Sequence, residues 1–333
     1  MPKTPDADLT AFLSIFRPNP QGVRPETLSE RLGFGAEKLA AIRARLGEDG
    51  FQIDVDAEGR WVLAEAPDRL LPYWVCAGLR CDRLAGLVFY QEEVTSTQDI
   101  AFELMVEGRP HGTLVIAEHQ TAGRGRGTRQ WHTVPRKAVI FSLLLDLEPP
   151  DTFASVLTIA MATSVARAIQ DVAGLPARIK FPNDIVVRGR KVAGILLEVK
   201  DYGVPKPRAV AGVGVNINQL RDEFPEELRE SATSLREESR DKAPLRRARI
   251  LRYVLRELER WLDCIKQGQY ADLENAWNRF SAMEGKDVAF LKGGEEITGR
   301  IVDARIREGL LVRLPGGREE RFRLEHLTDL RFL

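Results

Sequence analysis

The stretch HQTAGRGRGTRQW, residues 119–131, sets glycines at 123, 125 and 127 and arginines at 124 and 126. Glycine lets a backbone approach a ligand closely, and arginine offers planar charge to phosphates and carboxylates. Apolar, strand-like runs flank the loop: GTLVIAEHQ at 112–120 and AVIFSLLLDL at 138–147. The middle of the chain therefore reads as a sheet carrying a bare, cationic loop. A Walker A loop is excluded, because no Gly-Lys-Ser/Thr leads into a helix. A dinucleotide fingerprint fails too: Thr128 stands where the third glycine belongs, and a strand follows instead of a helix. Taken alone, a solvated hairpin loop accounts for the stretch as well.

Neighbouring segments bear on the choice. STQ at 96–98 opens a helix, with hydroxyls placed to cap it or to bind a polar ligand. KFPND at 180–184 is extended at Pro182, since the residue before proline disfavours helix, and presents an amide beside a carboxylate. Lys191 follows the turn RGR at 188–190, at the start of KVAGILLEV. DIVVRGRKVAGILLEVK and PRAVAGVGVNIN read as antiparallel strands. Asp151–Val172 reads as a helix, apolar on most sides and so buried.

At the N-terminus, Asp8–Phe16, Pro25–Leu32 and Gly35–Glu48 predict three short helices, with Leu39, Ile42 and Leu46 on one face of the third. FQIDVDAEGRWVLA predicts two strands about a DAEG turn. Three helices and a strand pair outline a winged helix-turn-helix. Pro244–Gln267 and Tyr270–Met283 predict amphipathic helices with Trp261, Ile265 and Trp277 in the core. From Glu284 onward, short alternating strands with turns at Gly293-Gly294, Gly309 and Gly316-Gly317 suggest a small SH3-like barrel.

The 333 residues carry 49 basic and 49 acidic side chains, so no global field recruits nucleic acid or membrane. The N-terminus lacks the layout of a secretory signal, and no run of roughly eighteen apolar residues predicts a membrane span. Cys76, Cys81 and Cys264 match no zinc pattern and read as inert thiols of a reducing, cytoplasmic compartment. The four histidines are scattered, so no protein-borne metal centre is expected.

Taken in order, STQ at 96–98, QTAGRGRGTRQW at 120–131, KFPND at 180–184 and KVAGILLE at 191–198 resemble the motifs of bacterial biotin protein ligases with a DNA-binding N-terminal domain. GVGVNIN at 212–218 and ATSL at 232–235 are also similar to family segments. The resemblance implies an α+β protein: a winged helix-turn-helix over 1–66, a linker over 67–83, a central mixed-sheet, class II synthetase-like biotin/lipoate ligase domain over 84–283, and an SH3-like β-barrel over 284–333. It implies activation of biotin by ATP to biotinyl-5'-adenylate, then transfer to a lysine of a biotin carboxyl carrier protein. Attack of one anion on another demands cationic and N–H neutralisation, which the loop offers. By motif position, biotin contacts fall on Ser96, Thr97, Gln98, Gln120, Arg124, Gly125, Arg126 and Lys191. Lys180, Asn183 and Asn216 fall on the nucleotide, with Asp184 on the nucleotide and Mg²⁺ side. Lys191, Arg126 and Asp184 are the expected catalytic residues, Asp184 taking the proton of the attacking lysine, whose free pKa is about 10.4. Mg²⁺ is implied by ATP, and a homodimer by the family.

The chain departs from the family pattern at three places. Arg126-Gly127-Thr128 replaces Arg-Arg-Gly, Phe181 replaces tryptophan, and Gln98 replaces asparagine. Residues 1–65 hold eight basic against eleven acidic side chains, and the third helix turns Glu37, Ala41, Ala44 and Glu48 away from its apolar face. Such a surface is poorly suited to a phosphate backbone, so operator DNA remains a possible partner only. Two alternatives stay open: a biotin-sensing transcription regulator with weakened ligase activity, and a lipoate-type ligase.

Overall fold

A computed structural model describes residues 5–147, 153–200 and 208–333. Helices α1 (Ala7–Phe16), α2 (Pro25–Leu32) and α3 (Ala36–Glu48) precede a hairpin of β1 (Gln52–Val55) and β2 (Trp61–Glu65). Each helix starts or stops for a local reason. Asp6 caps α1 by accepting from the Leu9 N–H at 3.1 Å. Pro25 opens α2, and Gly33 ends it at a φ of 68°. Leu9, Phe12, Leu13, Leu28, Leu39, Ile42 and Leu46 close the small core between them.

The stretch after β2 is packed, not slack. Leu70 and Leu71 lead into α4 (Pro72–Cys76), and Tyr73, Trp74 and Val75 are buried with them. Two buried arginines of α8 (Arg247–Lys266) hold it. Arg247 reaches the Asp68 carboxylate at 3.1 Å, Glu118 at 2.6 Å and the Ala138 carbonyl at 3.0 Å. Arg252 donates to the Trp74 carbonyl at 2.5 Å. Glu259, on the same helix, accepts the N–H groups of Asp82, Arg83 and Leu84.

The central sheet contains β3 (Val88–Val94), β4 (Leu114–Gln120), β5 (Ala138–Asp146), β6 (Ala177–Lys180), β7 (Asp184–Val187), β8 (Arg190–Lys200) and β9 (Arg208–Asn216). Their order is β3-β4-β5-β9-β8-β7-β6, with β3 parallel to β4 and every other pair antiparallel. The expected antiparallel strands are present as β7, β8 and β9, the last ending at Asn216. Asp151 and Thr152, which open the expected helix, and Pro207, which opens the expected strand, lie outside the described residues. The helix itself, α6, spans Phe153–Ala173.

Alternation along the strands divides the sheet into two faces. Val139, Phe141, Leu143, Ala209, Ala211 and Val213 join α6 and α8 in the main core. Val115, Leu144 and Val210 face α5 (Thr97–Val106) in a second cluster with Phe102 and Met105. By length and composition α6 could cross a membrane, but 67% of its apolar window is buried inside the protein, as in the core helix of a packed domain. After the short α7 (Leu235–Glu238), helix α8 is followed by α9 (Ala271–Ser281), which completes that layer, with Trp261 and Trp277 fully buried as expected.

The C-terminal strands β10 (Asp287–Lys292), β11 (Glu295–Arg305), β12 (Gly309–Arg313), β13 (Glu319–Phe322) and β14 (Thr328–Phe332) form an antiparallel sheet of order β13-β12-β11-β10-β14. Gly293, Gly294, Gly309, Gly316 and Gly317, the turn signals of the sequence, all have positive φ.

Candidate active site

The site lies on the α5 face of the sheet, around a trough made by glycines. Gly194 of β8 pairs with Gly214 of β9, and Gly214 pairs in turn with Ile140 of β5. One step along, Gly212 lies between Ser142 and Leu196. A Cβ at Gly214 would overlap the Trp131 ring, and one at Gly212 would come within 2.5 Å of the Gln98 side-chain oxygen. The missing side chains are thus what admits Trp131 and Gln98 to the sheet surface.

At one end of the trough, Ser96 caps α5, its hydroxyl accepting from the Gln98 N–H at 3.2 Å. The Gln120 side-chain oxygen accepts from the Thr97 N–H at 2.8 Å and the Thr97 hydroxyl at 3.0 Å. Ser142 donates toward Thr97 Oγ1 (2.9 Å) and the Gln98 oxygen (3.1 Å). These groups are all buried. The Ser96 O–H and the Gln120 NH₂ keep donor capacity for a polar ligand. Gln98 keeps none to spare. Its NH₂ donates to the Val210 carbonyl at 3.0 Å and to Glu198 at 3.1 Å, which tethers α5 to β8 and β9.

The glycine-arginine loop crosses over the trough. Arg124 and Gln130 form an isolated antiparallel bridge, and the Gly125 N–H donates to the Arg129 carbonyl at 2.8 Å. Gly127 sits at the tip with a φ of 64°, a conformation that suits glycine. The sequence offers two guanidinium groups to a ligand here, and in the structure they differ in their partners. Arg124 is held by Asp99 at 2.6 Å and Glu198 at 2.7 Å. Two carboxylates neutralise it, so the segment presents its backbone and not its charge. Arg126 makes only a 3.4 Å contact with the Asn183 side-chain oxygen. Among the described residues, Arg126, Arg129 and Lys180 line the cavity and reach no carboxylate.

Lys180–Asp184 forms the tight link between β6 and β7, whose ends pair as Lys180↔Asp184. Asn183 is locked to β8: its NH₂ donates to the Ile195 carbonyl at 2.7 Å, and the Ile195 N–H returns a bond to the Asn183 carbonyl. Asp184 lies 2.7 Å from the Lys191 ammonium. That ammonium stands 5.6 Å from the centre of the Trp131 ring. The Asn216 amide is spent on the Thr233 carbonyl and Gln219, so it fixes the segment whose Ser231 and Ala232 line the far wall.

Every residue that the sequence singles out therefore lines one cavity of about 910 Å³. That is ample for a small acid together with a nucleotide. Sequence reasoning missed Trp131, Ser142, the glycine trough and the Asp99–Glu198 clamp. The QW at the end of the loop motif was a signal for Trp131. The others arise only where distant strands meet.

A profile of the biotin/lipoate A/B protein ligase family matches residues 90–216. The bifunctional ligase/repressor BirA of Bacillus spizizenii is 32% identical over 257 residues, which is 77% of this chain and 78% of that relative. The chain belongs to the biotin/lipoate A/B protein ligase family. Its matched span runs from β3 to the end of β9 and so contains the whole trough. Another relative, the biotin–[acetyl-CoA-carboxylase] ligase of Mycobacterium tuberculosis, is 38% identical over 152 residues, covering 44% of this chain and 53% of the relative. Among solved structures, the family's biotin protein ligase from Aquifex aeolicus in complex with biotin and ATP superposes with a TM-score of 0.63 at 28% identity. The match covers 74% of this chain and 99% of that one.

Proposed function

We propose that this protein is a biotin–[acetyl-CoA-carboxylase] ligase. It activates biotin with ATP to biotinyl-5'-adenylate and transfers the acyl group to a lysine of a biotin carboxyl carrier protein. The observation that carries this reading is the single cavity. It gathers the buried hydroxyl–amide set, the glycine-arginine loop and the Lys180–Lys191 segment on one glycine-floored sheet face, in a chain with ligase relatives along most of its length.

In the first step a biotin carboxylate oxygen bonds to the α-phosphorus, the bond to the bridging oxygen breaks, and pyrophosphate leaves. Arg126, Arg129 and Lys180 offer uncompensated positive charge for this meeting of anions. Arg129 supplies the second loop cation that the Gly127-Thr128 departure removes. Ser96, Thr97 and Gln120 orient biotin through their remaining hydrogen-bonding capacity. Gln98 holds that set in place, and Gly125 and the Arg124 backbone close over the ligand. Lys191 neutralises the carboxylate and α-phosphate, while Asn183 and Asn216 shape the nucleotide side. In the second step the acceptor amine attacks the acyl carbon, AMP leaves with the electron pair, and the ammonium proton passes to Asp184. A mixed anhydride hydrolyses readily, so the loop also serves to exclude water.

Among the described residues no group of three or more His, Cys, Asp or Glu is placed to hold a metal, and Asp184 is the one carboxylate on the cavity wall. Mg²⁺ binds through one or two carboxylates plus substrate phosphates, so Asp184 with the phosphates of ATP fits it, and it would neutralise phosphate charge there.

We read the N-terminal helices and hairpin as a winged helix-turn-helix, the C-terminal strands as an SH3-like barrel, and the protein as a cytoplasmic homodimer. The name of the Bacillus relative favours a second activity, repression at operator DNA. The surface of α3 weighs against it: Lys38 pairs with Asp8 at 2.7 Å, and Arg45 with Asp6 at 2.6 Å. A gel shift with DNA upstream of biotin genes, with and without biotin, separates ligase from sensor. Intact-mass spectrometry of a carboxyl-carrier domain incubated with the protein, biotin and Mg-ATP tests the main reading. A gain of one biotin, abolished by Lys191→Ala, is expected. No gain on an acceptor that another ligase can label would sink it.

A further inference from the structure

Far from the trough, where α1, α4 and α8 meet, Arg17 is near enough to Arg249 and Arg256 to feel their charge, as Arg252 feels that of Arg17 and Arg249. Arg249, Arg252 and Arg256 are spaced three and four apart along α8, which puts them on one face of the helix. Arg17, just past α1, donates to the Ala77 carbonyl at 2.8 Å. Arg252 donates to the Trp74 carbonyl, three residues earlier, and stacks on the Trp74 ring at 4.8 Å. Both arginines thereby cap the carbonyl end of α4, a sound structural role. That role leaves the cluster's charge unbalanced. Among the described residues, none of the four reaches a carboxylate within 4.0 Å. The acids on the same helix face other partners: Glu259 accepts three N–H groups, Asp263 pairs with Arg83, and Glu257 lies 3.5 Å from Arg167 and 3.9 Å from Arg260. Arg252 is only 8% exposed, and its Nε has no partner. Burial, and then the like charges of Arg17 and Arg249, pull the pKa of Arg252 down. A guanidinium nonetheless stays protonated at neutral pH. Positive charge without a carboxylate partner is therefore concentrated at the seam between the N-terminal helices and the catalytic layer.

We propose that this seam binds a free oligophosphate anion of the pyrophosphate or tripolyphosphate class, held by Arg17, Arg249, Arg252 and Arg256. Phosphate oxygens match the planar fork of arginine in bidentate fashion. A multivalent oxyanion supplies the negative charge that no carboxylate among the described residues supplies there. A nucleic-acid backbone carries the same chemistry, but its approach through α3 is remote from the seam. Asp6, at the start of α1, pairs with Arg45 of α3, whereas Arg17 lies past the other end of that helix, about 15 Å away. Because Arg17 belongs to the N-terminal unit and the other three to α8, an anion bound here ties the two together.

Hydrogen–deuterium exchange of the full-length protein, with and without sodium tripolyphosphate, reads the site directly. Expected is slowed exchange in peptides covering Ser14–Arg17, Trp74–Asp82 and the start of α8. Arg249→Gln/Arg256→Gln, changed only at exposed positions, should lose that protection and bind at least tenfold more weakly at the seam. It should still protect the Gln120–Trp131 loop, where phosphates are expected in any case. Protection confined to that loop in both proteins overturns the proposal, as does seam protection unchanged in the double variant. A parallel arm with a short DNA duplex identifies the source: seam protection by the duplex but not by tripolyphosphate overturns the free-anion assignment.

Discussion

At the residue scale, Gly214 does more than permit a strand. It is the floor under Trp131, and the indole Nε1 above it is buried without a partner. Gly214→Ala should drive the ring off the sheet. Trp131 emission, isolated against a Trp131→Phe control, should shift to the red, with about 1–3 kcal/mol lost if the ring is forced to stay. Unchanged emission and stability would mean that the trough is not filled by this ring in solution. His111 is a residue of a different kind. Burial lowers its pKa against the opposing pull of Asp146, and its Nδ1 accepts from the Asp146 N–H at 3.0 Å. The unfolded imidazole titrates near about 6.5. With the folded pKa lower, the stability that neutral His111 contributes is present above that value and drains away as pH falls through the folded pKa. His111→Gln should therefore lose less stability than the parent between neutral and mildly acidic pH, as measured by urea unfolding at several pH values.

At the scale of elements, α8 acts as a spine. Its buried Arg247 joins Asp68, which precedes α4, to Glu118 of β4, and Glu118 also accepts from the Leu70 N–H at 2.7 Å and the Tyr90 hydroxyl at 3.1 Å. Arg247 has a side-chain exposure of 0% and Glu118 of 1%. Removing one partner of such a pair leaves a buried charge uncompensated, at a cost of roughly 3–5 kcal/mol. Arg247→Leu should show that loss in chemical denaturation. Arg247→Leu/Glu118→Gln should recover part of it, because the stranded carboxylate is gone. Equal losses in the single and double variants would mean that packing, not charge, holds α4 in place.

On the scale of the whole molecule, one continuous apolar cluster runs from Leu9 through Trp74 and Ile169 to Leu327. The N-terminal helices thus share buried contacts with the catalytic layer instead of hanging from a free tether. Calorimetry should show the N-terminal and central parts melting in one transition. A separate low-temperature step assigned to 5–65 by exchange would show that the α4 contacts are too weak to couple them.

Much of the site could be read from the linear chain because its motifs are local. Glycines, hydroxyls and the Lys180–Asp184 link are each set by residues a few positions apart, and the order of the motifs carried the family. The helices and turns were legible for the same reason: periodicity, Pro25, Gly33 and the paired glycines of the C-terminal turns act over one turn of chain. β3 was hard to see because the polar, exposed Gln91–Glu93 breaks the alternation of VFYQEEV, and α4 because five residues carry too little periodicity.

The sequence by itself determined which residue types gather around the cavity and in what order they come along the chain. Tertiary structure alone decided which charges remain available. Arg124 is spent on Asp99 and Glu198, Lys191 shares its charge with Asp184, and among the described residues Arg126, Arg129 and Lys180 meet no carboxylate. The reason is physical: a charge is cancelled by whatever lies within a few ångströms, and here those partners come from α5, β7 and β8, elements that only the folded sheet brings to one place.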